Sequence, residues 1–311
     1  MFLIALGNVL ITLLYAAPGF ALCKAKKVSA DHLSTLSVVL VYICGPCMII
    51  NSFLKMEFSW PALGEMGLFF VITFVLQSVF MGVMWLILRK KFDDCRYRVL
   101  TIGAAMGNVG FFGMPIISAI LPDCPEATCY SAVYVFSMNI LTFTVGTFCL
   151  TGDKKYMSLK GVFINPTTFG VVVAIPLYIF GVGELLENNG FSILTSAIEL
   201  VGKMTTPLCM IILGIRLATV SFSRLFMRPL VYLTCFLKLI AFPLFCYLAV
   251  YFLPLTFAFK ASILILSSAP CASVILNLAE MHAGETELAA NSVLLSTLMC
   301  FITIPLLVLI L

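Results

Sequence analysis

Ten apolar stretches, most close to the ~20 residues a helix needs to cross a bilayer, restrict this chain to very few folds. They lie at 1–22, 33–54, 62–88, 98–121, 128–150, 166–183, 192–215, 229–252, 260–281 and 288–311. Of 311 residues, 62% are hydrophobic and 10% charged, whereas a soluble domain carries about 25% charged residues. Lipid offers no partner for a free N–H or C=O, so each stretch must close its own backbone hydrogen bonds as a helix. The expected class is an all-α integral membrane protein of ten transmembrane helices. The basic cluster Lys24, Lys26 and Lys27 follows the first stretch instead of preceding it, which predicts a retained span and not a signal peptide.

The loop 151–165 divides the spans into two sets of five, 1–150 and 166–311, and the sets align at one offset. Cys47-Met48-Ile49-Ile50 recurs 162 positions later as Cys209-Met210-Ile211-Ile212. The loops after spans one, three, five and seven hold 14 of the 18 Lys and Arg residues, among them Lys154, Lys155, Lys160, Arg216, Arg224 and Arg228. Positive-inside bias therefore places both termini outside and loop 151–165 in the cytoplasm, across a cytoplasmic (plasma) membrane. The loop after span nine, with Glu285 and Glu287, runs against that bias, but acidic residues weigh little in it. Five spans per set make the second set an inverted copy of the first.

Two matched segments break the pattern. Span four contains Gly107-Asn108-Val109-Gly110-Phe111-Phe112-Gly113-Met114-Pro115, and 162 positions after Asn108 stands Pro270, within Ser267-Ser268-Ala269-Pro270-Cys271-Ala272-Ser273 of span nine. Matched interrupted helices in the two halves are the best sequence pointer to a secondary transporter and its binding site. Half-helix N-termini attract anions, and freed carbonyls hold cations or donors. The expected substrate-binding residues are Gly107, Asn108, Val109 and Gly110 from span four, and Ser268, Ala269, Pro270, Cys271 and Ala272 from span nine. Isolated prolines such as Pro176, Pro243 and Pro305 read as kinks or packing devices.

Three ionisable residues fall well inside spans, where a central charge costs about 2.5–3.5 kcal/mol and usually faces a partner or a cavity. Glu199 and Lys203 are four apart on span seven, in the order that favours pairing on one helix face. They read either as a self-neutralising pair or as groups that attract an anion (Lys203) and couple protons (Glu199). Lys238 has no local partner; packing of span eight on span nine would let it bias a cavity toward anions. No aspartate lies within a span, but Gln77, Asn139, Asn277 and Asn291 could help hold sodium or simply join helices.

Other chemistries find little support. His32 and His282 stand near segment ends without metal-ligand spacing, and no basic, aromatic-interleaved patch suggests nucleic acid. Most of the twelve cysteines lie in apolar segments as small hydrophobes. Cys44-Gly45-Pro46-Cys47 matches a thioredoxin-type string, which gives a rival reading as a membrane thiol oxidoreductase. Redox work needs that dithiol exposed at a helix start after a strand, and here it sits within the apolar run Val38–Phe53.

On the motif Gly107–Pro115, Asn165-Pro166 opening span six, Pro207–Leu217 and Ser268–Ser273, the whole chain resembles the auxin efflux carrier family of membrane transporters. The resemblance implies a scaffold of spans one, two, six and seven, and a transport domain of spans three to five and eight to ten. It also implies substrate binding where spans four and nine cross, and elevator-like movement. Plant PIN-type carriers have an Asn-Pro pair at both crossings. Here Asn108 has no adjacent proline and Ala269 precedes Pro270, which points toward the bacterial permeases associated with dicarboxylates such as malate and malonate. The expected activity is transport of a small organic anion, a carboxylate, without catalysis or cofactor and with H+ or Na+ as candidate coupling ions. A sodium-coupled carrier of the bile acid:sodium symporter type shares this plan and is the alternative. Expected partners are the anion, membrane lipid and a second copy of the chain as a homodimer.

Overall fold

The computed structural model describes residues 6–7, 10–11, 14–219, 228–282 and 284–311. These form helices α1 (Ala16–Lys24), α2 (His32–Leu54), α3 (Trp60–Leu88), α4 (Cys95–Ala105), α5 (Val109–Ile120), α6 (Pro125–Thr151), α7 (Leu159–Ile164), α8 (Pro166–Ile179), α9 (Val182–Asn188), α10 (Ser192–Thr219), α11 (Pro229–Tyr251), α12 (Phe257–Ser267), α13 (Val274–Met281) and α14 (Thr286–Val308). No strand occurs among the described residues, only one isolated antiparallel bridge, Gly107 with Cys271.

Helix starts follow local chemistry. Asn165 Oδ1 accepts from the Thr167 N–H at 3.0 Å with Pro166 at the first helical position, a cap plus a residue that needs no donor there. Ser59 and Thr256 cap α3 and α12 in the same way, accepting from Ala62 and Phe259.

Six described helices are long and apolar enough to span a membrane: α2, α3 extended to Lys91, α6, α10, α11 and α14. The shortfall from the expected ten has physical causes. Spans four and nine are each cut in two, leaving only the shorter apolar helices Val109–Ile120 and Phe257–Ser267. Span six is the 14-residue helix Pro166–Ile179, and the chain bends by 49° between it and the preceding Lys154–Ile164. Much of span one lies outside the described residues.

Prolines shape the long helices by a shared device. Widened π turns at Leu40–Cys44, Val109–Gly113 and Leu237–Ala241 each end two residues before a proline: Pro46, Pro115 and Pro243. A proline lacks the N–H and crowds the carbonyl four residues back, and the extra residue in the turn takes up that mismatch. Pro243 therefore does more than kink a helix, since its π turn carries Lys238.

Two close helix pairs stand out. α1 packs on α10, where Gly19 meets the Ile211 carbonyl and Gly214 meets the Ala16 carbonyl with no room for a β-carbon on either. α8 packs on the second half of α2. The main apolar core draws on these helices as well as the others, with Ile49, Phe53, Val171 and Met210 among its members; it includes Phe69, which stacks on Tyr130 at 4.6 Å and meets Phe259 edge-on.

Candidate functional site

The two broken segments meet at their breaks. Helix α4 stops at Ala105 and α12 stops at Ser267, 162 positions later. Between α4 and α5, and between α12 and α13, the chains run antiparallel and exchange two hydrogen bonds. The Asn108 N–H donates to the Pro270 carbonyl at 2.7 Å, and the Ala272 N–H donates to the Met106 carbonyl at 3.1 Å. The backbone groups that broken helices leave open are thus satisfied by each other, as burial in lipid demands. Cys271 adds two links: its N–H donates to Ser296 Oγ of α14 at 3.0 Å, and its thiol donates to the Gly103 carbonyl at 3.4 Å.

Gly107 is required by closeness. A β-carbon there would lie 2.9 Å from Lys238 Nζ, 3.1 Å from Lys238 Cε and 3.3 Å from the Ala269 carbonyl oxygen. Lys238 is fully buried, and its Nζ donates to the Ser267 carbonyl at 2.7 Å.

On one side of the crossing a cavity of about 320 Å³ opens between α2, α5, α10, α13 and α14. Its polar wall includes Ser34, Ser37, Asn108, Ser273, Asn277, Thr297 and Arg216; Leu40, Phe111, Phe112 and Leu213 are among its apolar groups. The volume suits a small ligand. No acidic residue lines it. The half-buried Arg216 guanidinium has no ion-pair partner among the described residues. One unbalanced cation in a partly apolar cavity makes the potential there positive. Asn108 lines the cavity, and its backbone carbonyl accepts from Phe112 and Gly113 to start α5.

The expected site residues divide in two. Asn108 lines the cavity, while Gly107, Val109 and Gly110 are buried in the first break. Ser268, Ala269, Pro270, Cys271 and Ala272 are also buried, and they form the second break without lining the cavity. The next residue, Ser273, reaches it. Glu199 pairs with Lys203 at 2.8 Å and also with Lys55 at 2.6 Å, one carboxylate shared by two lysines. That triad lies outside this cavity, and Lys203 lines a separate depression with Tyr15, Ser118 and Pro207. Lys238 sits behind the crossing, away from the cavity wall.

Other polar residues with candidate roles act inside the helix packing. Gln77 Nε2 donates to the Thr73 carbonyl and Ser137 Oγ, and Asn139 Nδ2 donates to Thr168 Oγ1 at 3.0 Å. Cys44 and Cys47 lie mid-helix in α2, with Cys44 1% exposed, which is not the exposed helix-start dithiol that redox exchange requires.

Arg216 is the residue that reading loops by charge misses, because it counts there as one more cytoplasmic cation. A helical signal was present. Cys209, Ile212, Leu213 and Arg216 stand at i, i+3, i+4 and i+7 on one face, and all four line the cavity.

No curated protein matches the chain. The membrane transport protein family matches it twice, over residues 4–159 and again over 155–308, so that the two matches together cover nearly every residue. The double match agrees with a chain made of two repeats, and the chain belongs to this family of membrane transporters, that of the auxin efflux carriers.

Proposed function

We propose that the protein is a secondary carrier of small organic anions, most simply carboxylates, that binds its substrate in the cavity beside the crossing. The observation that carries this reading is the cavity itself: Asn108 and Arg216, which has no ion-pair partner among the described residues, share one wall system without any acidic group. A carboxylate there gains charge-assisted hydrogen bonds from the guanidinium and a donor from the Asn108 amide. Helices α5 and α13 both begin at the crossing, which adds favourable N-terminal dipole ends. The residues of the two breaks support the site from behind by holding Asn108 and Ser273 in place.

In this reading the ten spans form two inverted sets of five, and each broken span counts once. α1 with α10 and α2 with α8 build a scaffold of spans one, two, six and seven. Spans three to five and eight to ten form the moving part. Arg216 and Ser37 belong to the scaffold, while Asn108, Ser273 and Thr297 belong to the moving part, so the substrate is bound across the sliding interface of an elevator. The termini face outside and loop 151–165 faces the cytoplasm of the cell membrane. The protein performs no covalent chemistry.

The test is uptake and counterflow in proteoliposomes with a panel of mono- and dicarboxylates, malate and malonate included. Saturable transport of at least one of them is expected, and Asn108→Ala should abolish it while the protein still inserts. Unchanged kinetics in that variant would remove Asn108 from the site. Failure of the wild type with every anion, alongside transport of a neutral or cationic solute, would overturn the anion reading.

A further inference from the structure

Lys238 is a buried cation that the anion cavity does not use. Its side chain is fully buried and takes part in none of the ion pairs among the described residues, which include all fourteen acidic residues. Two groups surround the ammonium in place of a carboxylate. The Ser267 carbonyl, at the C-terminal end of α12, accepts from Nζ at 2.7 Å, and the Phe242 ring centroid lies 4.6 Å away. The C-terminal end of a helix carries partial negative charge, and an aromatic face attracts a desolvated cation. Gly107, where a β-carbon would lie 2.9 Å from Nζ, sets no side chain of its own against the ammonium. The repeat does not demand this lysine, since the residue 162 positions earlier is Leu76.

A carbonyl at a helix end, a π face and a glycine make a lodging for a monovalent cation. We propose that Lys238 is a built-in cation of the crossing: its ammonium fills a monovalent-cation site, so the two breaks meet without a bound inorganic ion. The inference rests on the geometry behind the crossing and does not depend on which solute is transported.

Removing the side chain should expose the site to cations from solution. In detergent-solubilised full-length protein, the melting temperature of Lys238→Ala is measured in choline chloride with added n-propylammonium, sodium or 1-propanol. The n-propylammonium ion restores both the lost stem and the charge. At tenfold excess over its Kd it should raise the melting temperature of Lys238→Ala by about 3 °C, with a smaller rise from sodium. The wild type should show neither rise. Gly107→Ala/Lys238→Ala, whose added methyl occupies the vacated space, should also lose the response. Where the alanine variant is not recovered, Lys238→Ser carries the same comparison. An equal rise with 1-propanol, or no cation response beyond that of the wild type, would overturn the proposal.

Discussion

Arg216 and Gly107 carry the sharpest expectations at the scale of the residue. Hydrogen bonds to charged groups contribute about 1.5–3 kcal/mol. Arg216→Gln should therefore raise the half-saturating concentration of a transported carboxylate about ten- to a hundredfold, with Arg216→Lys in between. Uptake kinetics in proteoliposomes measure this, and an unchanged half-saturation would take Arg216 out of recognition. Gly107→Ala places a methyl against the Lys238 ammonium and near the Ala269 carbonyl. Overpacking of this kind costs about 1–3 kcal/mol, and a thermal melt of the purified variant should fall accordingly. The two residues differ in how far the sequence disclosed them. Gly107 is conspicuous because it stands with Asn108, Gly110, Gly113 and Pro115 in one short stretch that a continuous membrane helix would not favour, whereas Arg216 looks like an ordinary loop cation. Its role needed the knowledge that α10 lies across from the break.

At the scale of the element, the breaks in spans four and nine were legible because glycine, asparagine and proline are wrong for a self-satisfied helix in lipid. Their mutual pairing, Asn108 with Pro270 and Ala272 with Met106, was not. Backbone hydrogen bonds between remote segments leave no residue-type signature, since every residue but proline offers the same N–H and C=O. The matched offset brought the breaks together only as an expectation. The π turn before Pro243 was likewise hidden, and with it the seat of Lys238. Two changes test the elements directly. Asn165→Ala removes the cap of α8 and should cost about 1 kcal/mol, with Asn165→Asp keeping most of it. Gly214→Val drives a side chain into the Ala16 backbone and should separate α1 from α10. Loss of melting temperature for the valine variant, clearly exceeding that for the cap variant, is the expected order.

For the whole molecule, charge placement predicts sidedness. An epitope inserted near Lys154 should be reached by antibody only in inside-out vesicles, and one near Glu187 only in right-side-out vesicles or whole cells. The reverse result would invert the proposed orientation. The same loops predict a response to acid. Hydrogen bonds from the Arg96 side chain and backbone hold the Asp94 carboxyl below its usual range, and those from the Lys155 backbone and side chain do the same for Asp153. A carboxylate with a lowered folded-state pKa stabilises above its unfolded pKa, and that contribution fades as pH falls toward the folded value. Protection of the amides at 96 and 155 should therefore decline below the ordinary carboxylate range, and Asp94→Asn should flatten the change at 96. Hydrogen exchange against pH measures both.

The sequence by itself determined that this chain lives in lipid, that it repeats, where its helices fail and which loops are basic. Those properties follow from composition, periodicity and residue chemistry, and each can be read locally. Only the tertiary structure decided which groups meet. It joined the two breaks by backbone bonds, brought Arg216 of one helix to Asn108 of another, gave Glu199 a second lysine and buried Lys238 against a helix end. Partners that lie a hundred residues apart are set by helix packing in three dimensions, and no local pattern along the chain encodes the distance between them.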